Sequence, residues 1–252
     1  MKKIILMADG FVGLEVAKNL VAGGENIIRL YLHDEGSAKL AEEIKAASKC
    51  DKVFNRSYLK SQDHIENLKS LNADFIITVY WAHLLSPEVI SCATDTVNFH
   101  PALLPVNRGW FPHVHSIIDG SPLGVTLHRI DENADTGPIW AQKEVKLSPY
   151  DTAKSIYDRL QNEMVGLFVN KWPNIKTGDL KPSPQAENEA SYHKKSELAE
   201  LDRLDIDSEM PARRLINILR ARSFGDLGFA YYEESGKRIY VKISLSDSIN
   251  HS

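Results

Sequence analysis

The chain has 252 residues, 43 % of them hydrophobic and 25 % charged, with a net charge of −4. That suffices for one large core or a core with a small appendage, and the acidic balance argues against a general pull toward nucleic acid. The opening MKKIILMADG turns polar too soon for a secretory leader, and no later segment is apolar over the length of a bilayer. Cys50 and Cys92 have no partner spacing, so the expectation is a cytoplasmic protein with reduced thiols and neither membrane nor nucleic-acid partners.

Residues 3–8 read as a buried strand, 12–22 as a helix and 27–32 as the next strand. Segments 37–47 and 65–71 are helical by spacing, and 75–79 and 96–100 are further strands. Strands separated by helices of this length predict an α/β fold with a doubly wound, mostly parallel sheet. Next, 110–119 reads as a helix ending at Gly120, and 123–130 and 139–147 as β-like segments. The longest helix pattern is 152–172, with Asp151 as its N-cap and Pro173 as its stop.

Composition changes after that helix. Residues 181–190 (KPSPQAENEA) are polar and aperiodic, as in a linker or an extended crossing segment. Residues 212–221 form a short helix pattern bordered by Arg213, Arg214, Arg220 and Arg222, and 227–232 and 238–244 read as strands around Glu234-Ser235-Gly236. A helix plus a hairpin has too little core to stand alone. The expected division is therefore a main domain over 1–185 and a small subdomain over 186–252, packed on it or on a second copy. The alternating Phe229, Tyr231, Ile239, Val241 and Ile243 suit a homodimer through this tail.

The segment VNFHP at 97–101 carries the most chemistry. Strand alternation sends Val97 and Phe99 to one face, Asn98 and His100 to the other, and Pro101 ends the strand. His100 thus stands at a carboxyl strand end, where open α/β sheets bind ligands. Asp135 follows in the loop DENADTG at 131–137. An amide donor, an imidazole and a carboxylate are the groups that acyl transfer to an amine requires. Donors must meet the oxygen that gains charge, and protons must leave the amine and reach the leaving nitrogen. No nucleophilic serine or cysteine is needed. Taken singly, each of these residues is also an ordinary turn former.

Two other patterns carry less. Asp9-Gly10-x-x-Gly13 follows a strand but lacks one glycine of the dinucleotide fingerprint, and reads as a tight turn against the substrate cleft. His113 and His115 splay about 200° apart on a helix, and no cysteine or carboxylate cluster joins them or His128, so no metal is expected.

The combination Asn98-Phe99-His100-Pro101, Leu103-Leu104-Pro105 and Asp135-Thr136-Gly137 resembles the N10-formyltetrahydrofolate-dependent formyltransferases, over roughly residues 1–180. The resemblance implies a Rossmann-like fold, N10-formyltetrahydrofolate as co-substrate, no metal, and Asn98, His100 and Asp135 as the catalytic set. It further implies that the folate is held by the loop after the fourth main strand (Tyr80, Trp81, His83, Leu84, Leu85) and by the aspartate loop (Ile130, Asp131, Asp135). Within that family, methionyl-tRNA enzymes carry a larger basic tail, and glycinamide ribonucleotide enzymes end soon after the long helix. The nucleotide-sugar N-formyltransferases are more similar, through Asn107-Arg108-Gly109-Trp110-Phe111-Pro112-His113 and a short tail.

That likeness implies acceptor contacts from Gly10, Phe11, Pro101, Asn107, Arg108, Gly109, Trp110 and Phe224. Arg108 and the tail arginines suit phosphate contacts, and the aromatic residues suit stacking or a sugar-facing wall. The acceptor so implied is dTDP-4-amino-4,6-dideoxyglucose, formylated for O-antigen or a similar surface polysaccharide. A GDP-linked sugar and a 3-amino isomer are the alternatives. A non-catalytic folate or nucleotide-sugar binding protein is the alternative of a different class, and it would not require all of Asn98, His100 and Asp135.

Overall fold

The computed structural model describes residues 1–34 and 36–248. Its centre is a seven-stranded sheet built from β1 (Lys3–Ala8), β2 (Asn26–Leu32), β3 (Val53–Asn55), β4 (Ala73–Val79), β5 (Ala93–His100), β7 (Gly124–His128) and β8 (Ile139–Glu144). The short β6 (Arg108–Gly109) lies outside it. The spatial order is β3-β2-β1-β4-β5-β7-β8, parallel except for the antiparallel β7 and β8. The expected doubly wound, mostly parallel sheet is what forms. Because the chain runs outward from β1 to β3 and returns to β4 beside β1, the strand order reverses there. Clefts open at the carboxyl ends of such strands.

Side-chain alternation makes two cores. Ile4, Leu6 and Ala8 of β1 join one apolar cluster, while Ile5 and Met7 join the other. The first is covered by α1 (Gly10–Ala22), α2 (Ala41–Ser48), α5 (Pro112–Asp119) and α6 (Ala153–Thr177), and the second by α3 (Gln62–Ser70) and α4 (Pro87–Ile90). Both faces are therefore dry, as the near-continuous apolar runs of the parallel strands require.

Several boundaries differ from the sequence reading. Helix α6 runs through Pro173 to Thr177, because Trp172 and Ile175 are both buried and their packing carries the helix past the proline. Gly178, in the left-handed conformation, ends it instead. Its N-cap is Thr152, in a capping box with Ser155. Asp151 is buried beside it, accepting from the Ser148 N–H and pairing with Arg159. Helix α2 starts at Ala41 rather than near 37, and α5 starts at Pro112 because Phe111 has a left-handed backbone. Strand β3 and helix α4 escaped the reading, being too short for a period to show.

The tail comprises α7 (Glu197–Asp202), α8 (Ala212–Ala221), a two-residue pair β10 (Ser223–Phe224) with β11 (Leu227–Gly228), and the hairpin β12 (Ala230–Glu234) with β13 (Lys237–Val241), and it packs on the main domain through α8 against α5 and β10 against α6. Arg220 fastens it, its guanidinium donating to the carbonyls of Ser148, Pro149 and Asp151. Arg222 is likewise buried and pairs with Asp202. Neither is free for phosphate, contrary to the expectation for the tail arginines. Ile216, Phe229, Ile239 and Tyr240 stay exposed on the tail. Among the described residues, no helix is long and apolar enough to cross a membrane.

Candidate active site

The site begins as a polar row across the sheet. Register places Thr78 of β4 beside Asn98 of β5, and Asn98 beside His128 of β7. His100 follows two residues on, so it shares the face of Asn98 at the strand's end. The Thr78 hydroxyl donates to Oδ1 of Asn98 at 2.6 Å, which turns the Asn98 amide group the other way. That Nδ2 group donates to Nε2 of His128 at 2.9 Å and reaches Oδ1 of Asp135 at 3.4 Å. His128 in turn donates from Nδ1 to the carbonyl of Arg129 at 2.6 Å, which leaves its Nε2 as the acceptor.

Asp135 is delivered by the loop between β7 and β8. Gly137 permits the loop's close return, since a Cβ there would lie 2.0 Å from the Arg129 carbonyl oxygen. The Asp135 carboxylate accepts from the Gly109 N–H at 2.9 Å and faces Nδ1 of His100 at 3.4 Å. His100 is buried, and its Nε2–H donates to the main-chain carbonyl of Asn107 at 3.0 Å. Burial holds the His100 imidazole below its ordinary pKa despite the nearby charge of Asp135. Burial also works against the Asp135 charge, but His100 and the hydrogen bond from the Gly109 N–H outweigh it and hold the carboxyl well below the usual range. At neutral pH the pair is a neutral imidazole whose free nitrogen faces a carboxylate, a proton acceptor with its counter-charge already in place.

This cluster floors a cleft of about 450 Å³, a size usual for small-molecule sites. Tyr80, Trp81, His83, Leu84, Leu85 and Ile130 line it. Pro101, Gly109 and Trp110 line it as well. Gly109 is required there by its φ of +88° and because a Cβ would fall 2.4 Å from the His193 carbonyl oxygen. Tyr80, Phe111 and Asp135, all cleft residues, and the adjoining Asn107 have left-handed backbones, an arrangement that costs energy and gathers at functional sites.

Six expected contacts are not made directly. Arg108 is buried behind the cleft with its guanidinium donating to Gln185 and, through both Nη atoms, to Glu187, so it holds no free donor pair for phosphate. Asn107 is also buried, its side chain bonded to Ser116, Ser121 and His193. Asp131 accepts from the Asn133 N–H and the Thr136 hydroxyl, bracing the aspartate loop. Phe224 packs against Tyr157 rather than lining the cleft. Gly10 and Phe11 also fall outside the lining, Gly10 donating to the Lys39 carbonyl.

Sequence reasoning missed Thr78, His128, His113, Tyr157 and Tyr192, all of which line the cleft. Thr78 and His128 were findable in principle as polar residues at the carboxyl or pairing end of apolar strands. Tyr157 and Tyr192 depend on long-range packing. Tyr192 arrives through β9 (Tyr192–His193), which pairs with β6.

As expected, His113 and His115 point apart, His113 into the cleft and His115 toward the tail. The expectation that no carboxylate neighbours them is corrected: ligand atoms of His115, His193 and Glu197 lie within 4.8 Å of one another. The rings of His115 and His193 nevertheless stack 3.5 Å apart with 8° between their planes. An ion about 2.1 Å from each nitrogen would have to lie in both planes at once, so this stacked arrangement is not a metal centre.

Comparison with known proteins agrees with this geometry. The profile of the formyl transferase family matches residues 31–171. That of the N-formyltransferase dimerization C-terminal domain matches residues 197–247. A dTDP-4-amino-4,6-dideoxyglucose formyltransferase of Mycobacterium tuberculosis is 37 % identical over 160 residues, 63 % of this chain and 68 % of the relative. Among solved structures, a 4-N formyltransferase from Francisella tularensis superposes with a TM-score of 0.84 at 25 % identity, covering 98 % of this chain and 99 % of that one. A formyltransferase from Anoxybacillus kamchatkensis, solved with UDP-4,6-dideoxy-4-formamido-L-AltNAc and tetrahydrofolate, has a TM-score of 0.58 at 27 % identity, covering 79 % of this chain and 88 % of that one. The chain belongs to the formyl transferase family.

Proposed function

We propose that this protein transfers the formyl group of N10-formyltetrahydrofolate to the amine of a nucleotide-linked amino sugar, dTDP-4-amino-4,6-dideoxyglucose. The observation that carries the reading is the meeting of Asn98, His100 and Asp135 on the floor of the cleft. The Mycobacterium tuberculosis relative bears that substrate in its name, and the Anoxybacillus kamchatkensis structure was solved with a formamido nucleotide sugar and tetrahydrofolate. The cleft suits such a pair. Tyr80, Trp81, Leu84 and Leu85 give it aromatic and apolar lining for a pterin, and Trp81 keeps a buried indole N–H without a partner. Trp110 and Tyr192 offer further aromatic surface for the acceptor.

The folate supplies an activated formyl carbon. Asn98 keeps one Nδ2 hydrogen on His128 and turns the other, which reaches Asp135 at 3.4 Å, to the formyl oxygen as that oxygen gains charge. His100 takes the amine's proton at Nδ1, its Nε2–H remaining on the Asn107 carbonyl, and Asp135 stabilises the imidazolium so formed. Asp135 and His100 then return a proton toward N10 as the carbon–nitrogen bond breaks.

The same reading takes 1–185 as the transferring domain and 186–252 as a subdomain that pairs two copies. The dimerization profile on 197–247 and the exposed Ile216, Phe229, Ile239 and Tyr240 support that. The free, buried Cys50 and Cys92 fit a reducing cytoplasm, and the formamido product would enter a surface polysaccharide such as O-antigen. The test is tetrahydrofolate release from N10-formyltetrahydrofolate across dTDP- and GDP-linked 4-amino and 3-amino sugars, with mass spectrometry of the product. A formamido sugar from the dTDP-4-amino acceptor supports the reading; turnover with another acceptor alone moves the specificity; none at all removes it.

A further inference from the structure

We infer that Gln185 is a positioning residue for formyl transfer, holding the Asp135 loop and the Gly109 loop in register from a segment that neither family profile covers. The profiles end at 171 and resume at 197. Between them the chain crosses the back of the cleft, with Ser183 paired to Ile139 and Tyr192–His193 paired to β6. Midway, the Gln185 amide uses its full bonding capacity. Its Nε2 donates to the carbonyls of Asp135 at 2.8 Å and Gly137 at 2.7 Å, and its Oε1 accepts from Nε and Nη2 of Arg108 at 3.2 and 2.7 Å.

These bonds close a ring. Asp135 accepts from the N–H of Gly109, Gly109 follows Arg108, Arg108 donates to Gln185, and Gln185 donates back to Asp135. Asp135 has a φ of 58°, a left-handed backbone that costs energy and persists where surrounding contacts fix it. Without Gln185, two carbonyls and the Arg108 Nε–H lose their partners. The loop is then free to carry the carboxylate away from Nδ1 of His100, 3.4 Å off. The inference rests on the proposed roles of His100 and Asp135.

Gln185→Met keeps the side chain's length and removes all four bonds. Gln185→Glu keeps an acceptor for Arg108 but removes the donor to the loop. Both variants should lower kcat roughly 10- to 100-fold while the KM for folate moves less than about threefold. In the free protein, the NMR titration of His100 should move to lower pH in both, because Asp135 now raises that pKa. Wild-type titration of His100 in either variant would overturn the inference, as would a kcat loss no larger than the loss of folded protein. A wild-type enzyme that formylates no amino sugar would remove the functional reading, yet the His100 titration would still decide the role of Gln185.

Discussion

Thr78 donates its hydroxyl to Oδ1 of Asn98 at 2.6 Å, and that bond decides which end of the Asn98 amide faces the cleft. A flipped amide would present an oxygen where a donor is needed, and would set that oxygen against Asp135 and Nε2 of His128. Thr78→Val preserves the branched shape in a fully buried position and removes only the bond. We predict a loss of about tenfold in kcat with little change in folate affinity, and recovery in Thr78→Ser. Steady-state kinetics of the three proteins checks this; an unaltered Thr78→Val would show that the Asn98 orientation is set elsewhere.

His113 connects the cleft to acid sensitivity. It is buried, its Nδ1 has no partner, and burial lowers its pKa to about 4. The unfolded chain binds the proton near pH 6.5, so this group's stabilisation is complete above that value and fades as pH falls toward 4. The expected slope from this residue is about 1.4 kcal/mol per pH unit across that window. His100 and His115, also lowered by burial, act in the same direction. Urea unfolding at pH 7, 6, 5 and 4.5 should give a shallower decline for His113→Leu than for wild type. Parallel declines would contradict the assignment.

The pattern of what the sequence revealed follows interaction range. Strand alternation in Val97-Asn98-Phe99-His100 is local, and it placed both polar residues on the right face. Strands β1, β2 and β4 show as near-continuous apolar runs, and β5 through its alternation of Val97 and Phe99 with polar residues. Arg108 was misread because charge on a loop beside a nucleotide site looks like a phosphate ligand. Only the fold brings Gln185 and Glu187, more than seventy residues later, to consume its donors. Pro173 predicts a helix stop because proline lacks an N–H, whereas burial of Trp172 and Ile175 decides the outcome. The contributions of Tyr157 and Tyr192 needed tertiary packing and had no local signal.

Arg220 shows the same effect in the tail, where a residue read as a phosphate contact is a fastener. Its three bonds run to main-chain carbonyls of the segment before α6. Arg220→Met should therefore cost about 2–4 kcal/mol, with the tail loosening first. Hydrogen exchange should show faster exchange in α8 and the hairpin while β1 and β4 stay protected. Unchanged exchange in the tail would mean that apolar packing against α5 suffices to hold it.

The central claim is that His100 acts in transfer and not in holding the folate. The most direct test measures kcat and tetrahydrofolate affinity together for wild type and His100→Asn, with dTDP-4-amino-4,6-dideoxyglucose as acceptor. We predict that turnover falls by about three orders of magnitude or more while the affinity for tetrahydrofolate changes less than about threefold. Equal losses in both, or a variant that still turns over at a tenth of the wild-type rate, would contradict the account.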